Sequence, residues 1–255
     1  MSLLQCRGLD VSVADVNVVA GLDLHLEPGM IVGILGANGA GKTTLLHTLA
    51  GLRAPQGGQV LLESRAVGQW PSRARARALG ILFQDIDFTP QGNVLQHVLA
   101  ARHPHLARFS MEQPEDYAIA EATLGQTGLL ERRQQRVETL SGGERKRLGV
   151  ATLLCQRARV NLLDEPNSHL DLRYQISMLE LIRRHILKMN GVGIIVLHDV
   201  NLLLRFCTHG LLLFGDGAYC FDSTEACITS TNLGRLFKHP MQEIFHQDGR
   251  YFLPG

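Results

Sequence analysis

Alternation of apolar and polar residues opens the chain, and continuous apolar runs take over after residue 30. Residues 8–13, 18–20 and 22–26 are short β-like runs, the last alternating strictly as Leu22-Asp23-Leu24-His25-Leu26 before the turn Glu27-Pro28-Gly29. Such alternation marks half-exposed strands, so an antiparallel β layer is predicted ahead of residue 30, joined by a further short strand at 59–62. The run Met30-Ile31-Val32-Gly33-Ile34-Leu35 has no charged or polar side chain, as a strand covered on both faces requires. Residues 79–85, 160–166, 193–199 and 210–214 read as strands of the same buried kind, several ending in polar residues. Helical spacing fills the intervals at 43–50, 72–78, 148–158, 176–189 and 200–206. Buried strands alternating with helices define an α/β class. From about residue 87 to 140 no β pattern occurs, and helices are predicted at 94–101, 114–124 and 129–136. One domain spanning 1–255 is therefore expected, with a core of about 1–86 and 141–255 and an inserted helical lobe of about 87–140. The tail after Asp216 is rich in β and turn signals and then helical at 230–237.

Composition narrows the function classes. A net charge of +1 gives no global electrostatic case for nucleic acid, and none is expected as a partner. No window approaches the 18 or so apolar residues of a membrane span, and the first residues lack the basic-then-apolar order of a signal peptide. Cys6, Cys155, Cys207, Cys220 and Cys227 form no C-x-x-C pair, so reduced thiols in a cytosolic setting are expected. His97, His103 and His105 fit no zinc spacing. The segment 72–78, in which Ala alternates with Arg73, Arg75 and Arg77, reads as a solvated helix face rather than a nucleic-acid contact.

The chemistry gathers at strand ends. Gly36-Ala37-Asn38-Gly39-Ala40-Gly41-Lys42-Thr43-Thr44 fits G-x-x-x-x-G-K-[ST], with a buried strand before it and a helix after it. A glycine turn in that context aims backbone N–H groups and a helix dipole at nucleotide phosphates. Lys42 would reach the β- and γ-phosphates of ATP, and the Thr43 hydroxyl would ligate Mg2+. A surface turn with a chance lysine needs neither flanking element. Asp164 and Glu165 lie at the carboxyl end of the strand at 160–166, where open α/β sheets place their chemistry, and adjacent strand positions point the two carboxylates to different partners. Asn161 within that strand marks an edge or a buried hydrogen bond. Leu140-Ser141-Gly142-Gly143-Glu144 precedes a helix. A capping box accounts for Ser141 and Glu144 but not for the two glycines, which allow close backbone approach to an anion.

Together these residues resemble the nucleotide-binding subunit of an ATP-binding-cassette (ABC) transporter, over nearly the whole chain. The resemblance implies a P-loop NTPase core, a mixed sheet flanked by helices with an N-terminal antiparallel β layer and an inserted helical lobe. It implies that Gln84 senses Mg2+ and couples to the membrane partner, that Asp164 holds Mg2+ through water, that Glu165 is the general base, and that His198 contacts the γ-phosphate. Ser168 and Asp171 lie in the segment expected to cross to the opposite subunit. Family members form head-to-tail dimers, so Leu140, Ser141, Gly142, Gly143 and Glu144 would close over ATP on a second copy of the chain. The family's adenine-stacking aromatic has no counterpart in residues 9–15, which leaves adenine selection open. Ala101-Arg102-His103-Pro104-His105, Asp171-Leu172-Arg173-Tyr174-Gln175 and residues 231–237 are similar to importers of iron–siderophores, haem and cobalamin. That implies ATP hydrolysis on the cytoplasmic face of the inner membrane, a polytopic permease and, indirectly, a substrate-binding protein. The alternatives are a soluble ABC ATPase, as in cluster assembly, or an ABC ATPase of another importer or exporter class.

Overall fold

The computed structural model describes residues 2–14, 16–84, 92–107, 110–168, 170–246 and 249–255. Asp15, His169 and residues 85–91, where the predicted strand at 79–85 ends and the lobe begins, lie outside the described residues. The three early β-like runs merge into two long strands, β1 (Leu4–Val13) and β2 (Val16–Leu26), paired antiparallel. Their alternation buries Leu22, Leu24 and Leu26 and leaves Asp23 and His25 to solvent, as a one-sided sheet demands. Strands β4 (Gly57–Leu62) and β5 (Arg65–Ala66) extend this layer in the order β2-β1-β4-β5.

The central sheet is built from β3 (Ile31–Gly36), β6 (Leu79–Leu82), β7 (Val160–Asp164), β8 (Val192–Val196), β9 (His209–Leu213) and β10 (Tyr219–Ser223). Its order is β10-β9-β3-β8-β7-β6, parallel throughout except for the edge strand β10. Each central strand serves two cores. Val32 and Ile34 of β3 face one core with β1, β2 and α1 (Lys42–Leu49), whereas Ile31 and Leu35 face another. That second core receives α5 (Gly142–Gln156), α6 (Leu172–Lys188), α7 (Val200–Phe206) and α9 (Ser230–Phe237). The short α8 (Thr224–Cys227) packs on β9 and β10. Burial on both faces explains the uninterrupted apolar runs. Asn161 is not at an edge: β7 lies between β8 and β6, and the Asn161 Nδ2 donates to the Ala158 carbonyl at 3.2 Å. The predicted strands at 79–85, 160–166 and 193–199 end earlier, at Leu82, Asp164 and Val196, which leaves Gln84, Glu165 and His198 beyond the strand ends.

The lobe has its own apolar core, shared by α3 (Val94–Ala100), α4 (Pro114–Gln126) and one face of α5. The helix predicted at 129–136 is not an α-helix. Gly128, with φ +69, closes α4, and the chain makes separate tight turns at Leu130–Arg132 and Val137–Thr139. The intervening Glu131-Arg132-Arg133-Gln134-Gln135-Arg136 has no apolar face to bury, and its backbone instead bonds to residues 94 and 95. Arg102 is buried at the heart of the lobe, its Nε 2.9 Å from Asp116 Oδ1 and its Nη1 donating to the Cys155 carbonyl at 3.1 Å. The helix at 72–78, α2 (Ser72–Ala78), is more than a solvated face. Arg73 and Arg77 both donate to the Pro104 carbonyl, and Arg75 donates to the Gly51 carbonyl, so this helix ties the lobe to the core.

The tail forms a hairpin of β11 (Met241–His246) and β12 (Gly249–Pro254). Phe252 enters the second core, and the Asn201 side chain bonds both its N–H and its carbonyl, which fastens the hairpin to α7. All five cysteines are free thiols. Among the described residues no helix is long and apolar enough to cross a membrane.

Candidate active site

Four parallel strands end side by side, and each delivers one part of a cleft. Pairing of Ile34 with Val196, Val196 with Asp164, and Leu163 with Leu82 sets their carboxyl ends level. The glycine loop therefore follows β3, Asp164 and Glu165 follow β7, Gln84 follows β6 and His198 follows β8. The resulting cleft is about 420 Å3, lined by Val13 together with Asn38, Gly39, Gly41 to Thr44, Gln84 and Glu165.

Gly41 caps α1 at φ +82, a left-handed conformation that glycine adopts freely. A Cβ there would also fall 2.3 Å from Val18 Cγ2. The first N–H groups of α1 face the cleft beyond it, in the arrangement that binds anions. Lys42 is buried, and its Nζ donates to the Gly36 and Ala37 carbonyls at 2.8 and 3.0 Å, so the loop Gly36 to Gly41 closes over its own lysine. Burial lowers the Lys42 ammonium pKa, while the charges of Glu165 and Asp164 oppose that shift.

Asp164 is buried at the end of β7. Its Oδ2 accepts from Thr43 Oγ1 at 2.5 Å, while its Oδ1 is buried with no hydrogen-bond partner among the described residues. Burial pushes this carboxyl above the usual carboxylate range, with the Thr43 hydrogen bond working against the shift. An orphaned carboxylate oxygen beside a hydroxyl is the hard oxygen donor set that suits Mg2+. The residues present fit that ion.

Glu165, the first residue past β7, sits at φ +48, a region non-glycine residues seldom occupy outside functional sites. Its Oε1 lies 2.6 Å from His198 Nε2, and its Oε2 accepts from Gln84 Nε2 at 3.2 Å. The Ser168 hydroxyl donates to the Glu165 carbonyl at 3.0 Å, and Asp171 caps α6 by accepting from the Tyr174 N–H. Five of the sequence-derived residues, Lys42, Thr43, Gln84, Asp164 and Glu165, thus meet in one place with His198 against them.

Leu140 to Glu144 do not line the cleft. Ser141 and Glu144 form a reciprocal capping box at the N-terminus of α5, and Glu144 also pairs with Arg132 at 2.8 Å. The box holds the Glu144 carboxyl below its usual range, chiefly through the Ser141 N–H. A Cβ at Gly142 would meet nothing within 4 Å, and one at Gly143 would make only ordinary contact with Leu170.

Residues 19–168 match the family described as ABC transporter. The chain belongs to the ABC transporter family. It is an ATP-binding, ATP-hydrolysing subunit of that family. It is 34% identical over 238 residues to a protein of Bacillus subtilis described as a probable siderophore transport system ATP-binding protein, covering 93% of this chain and 86% of that one. It is also 34% identical over 240 residues to a hemin import ATP-binding protein of Pseudomonas entomophila, covering 92% of each. A solved ABC transporter in an inward-facing conformation shares the fold at a TM-score of 0.84 and 27% identity, covering 100% of this chain and 98% of that chain.

One residue behind this ABC subunit's cleft carried no sequence signal. Lys146 of α5 is buried and donates to the Gln84 carbonyl at 3.0 Å, linking the helix that begins with Gly142 to the residue bonded to Glu165. Val13 brings the end of β1 to the cleft mouth. Lys146 is one basic residue in the run Arg145-Lys146-Arg147, and only the tertiary fold distinguishes it from its neighbours.

Proposed function

We propose that this chain is the ATPase of an importer for a metal chelate, of the iron–siderophore, haem or cobalamin kind. It works on the cytoplasmic face of the membrane beneath a polytopic permease supplied by a substrate-binding protein. In this reading the chain divides into a core at about 1–86 and 141–255 and a helical subdomain at about 87–140. The carrying observation is that one chain gathers the phosphate loop, both carboxylates, Gln84 and His198, but leaves Leu140 to Glu144 outside the cleft. Gly142 and Gly143 open a helix, yet among the described residues no contact requires either to be glycine. Their requirement then lies outside the chain, at the phosphates held by a second copy docked head to tail.

The chemistry follows from the contacts. Glu165 is the general base for the attacking water. Hydrogen bonds from His198 to its Oε1 and from Gln84 to its Oε2 make the carboxylate less basic, and release of one partner restores its pull on the water's proton. His198 is the partner that turns, since its side chain is half exposed and its ring reaches the γ-phosphate by rotating out of the Glu165 contact. Lys42 exchanges the Gly36 and Ala37 carbonyls for β- and γ-phosphate oxygens. Thr43 and Asp164, with Gln84, would hold Mg2+, which when bound would neutralise charge on the phosphates. Ser168 and Asp171 fix the turn after Glu165 and extend toward the partner subunit. Gln84, bonded to both Glu165 and Lys146, passes the state of the site to the permease through the lobe.

Replacing Asp164 with Asn is expected to weaken Mg2+-dependent ATP binding by roughly tenfold or more, leaving binding without Mg2+ close to native. Isothermal titration with and without Mg2+ checks this, and equal losses in both titrations would remove Asp164 from the ion's shell. The functional reading is tested by purification from detergent-solubilised membranes. A polytopic protein should co-purify with the chain, and recovery of soluble partners alone would defeat the importer assignment.

A further inference from the structure

A second cleft, of about 470 Å3, lies between α4 of the lobe and α6 of the core, at the C-terminal end of α5. None of its lining residues lines the nucleotide cleft. Its charge is one-sided. Arg157, Arg184 and Lys188 line it, no aspartate or glutamate does, and α4 contributes only the neutral polar groups of Thr123 and Gln126. Arg184 Nε has a loose pairing with Glu180 at 3.8 Å. Arg157 and Lys188 form no ion pair among the described residues. Arg157 ends α5 at φ +56, a left-handed cap that usually falls to glycine or asparagine, so backbone strain accompanies the placing of this cation.

His185 belongs to the same wall. Its Nε2 is buried and has no hydrogen-bond partner, which is uncommon for a polar atom shut away from water. Burial first, then the charges of Arg157 and Lys188, hold its pKa down at about 4, so the imidazole is neutral at physiological pH. The rest of the lining, including Leu154 and Leu181, is apolar. A concave site of this size with an apolar wall and a few convergent polar groups suits a small molecule rather than a flat macromolecular surface.

We propose that this cleft binds a small organic anion, an apolar body bearing a carboxylate or phosphate group, with its charge on Arg157, Arg184 and Lys188 beside His185. The anion offsets the charges of Arg157 and Lys188 that depress the imidazole. Binding therefore raises the His185 pKa, takes up a proton, and tightens as the pH falls from the bound pKa toward about 4. The site touches both lobe and core, and α5 runs from it to the capping box at Ser141. An occupant there bears on the helix that presents Leu140 to Glu144.

The test uses the full chain, 1-naphthyl phosphate as probe and 1-naphthol as its uncharged counterpart. The His185 imidazole signal is followed by NMR from pH 5 to 8 and identified with His185→Gln. Without probe, His185 should stay neutral across that range. With 1-naphthyl phosphate it should take up a proton within it, and 1-naphthol should have no effect. The double variant Arg157→Gln/Lys188→Gln, both positions exposed, should bind the probe roughly tenfold more weakly. It should also turn over ATP normally when no probe is present. An unchanged His185 titration at millimolar probe, or native affinity in the double variant, would overturn the proposal.

Discussion

Glu165→Gln is expected to lower ATP turnover by about 10²–10⁴-fold while ATP binding stays near native. The amide is nearly isosteric and still bonds Gln84 and His198, so the loop at φ +48 keeps its shape. What it loses is basicity, the one property needed to take the water's proton. Lys42, Thr43 and Asp164, which hold phosphates and Mg2+ in this account, are untouched. Steady-state phosphate release and equilibrium ATP binding, measured on the same preparation, separate the two effects. Equal losses in both would indicate a damaged cleft rather than a missing base, and native turnover would sink the assignment.

Arg102→Met should cost about 3–5 kcal/mol of stability, the usual penalty for stranding one partner of a buried ion pair. Arg102 is buried, and the change strips Asp116 of its guanidinium and the Cys155 carbonyl of a donor. For a chain of this length the loss corresponds to a fall of roughly 6–20 °C in the unfolding midpoint. The acid side of the stability profile should change as well. The Gln113 N–H, then Arg102, hold the Asp116 carboxyl below its usual range. Its contribution is therefore present above the ordinary aspartate pKa and lost as the pH falls through the lowered one. Arg102→Met should flatten that acid limb, and thermal unfolding between pH 3 and 7 checks both effects. An unchanged midpoint would show that the lobe does not depend on this pair.

Most of the active site was legible because its chemistry follows strand ends. The apolar runs of β3, β7 and β8 have strong signals, and the residues just past them have little freedom of place in a parallel sheet. Glu165 and His198 could be picked out this way, but their 2.6 Å contact could not, since it depends on how two loops pack. The same limit hid Lys146 and the neutral His185, whose surroundings come from elements far apart in sequence. The arginines of α2 read as solvated because alternation with alanine carries no sign of the Pro104 carbonyl they would meet. The turns at 129–136 failed differently. Charged residues with good helix propensity suggested a helix there, and the absence of an apolar face decided the outcome.

The most direct measurement of the central claim mixes two inactive chains. Glu165→Gln lacks the base, and Ser141→Arg blocks the approach of the capping-box segment to a neighbour's phosphates. If ATP is closed between two copies head to tail, a mixed dimer regains one intact site, so equimolar mixing should restore up to about a quarter of native turnover. If each chain hydrolyses ATP within its own cleft, which Ser141 does not line, Ser141→Arg alone would keep native turnover and mixing would add nothing. That result would contradict the account.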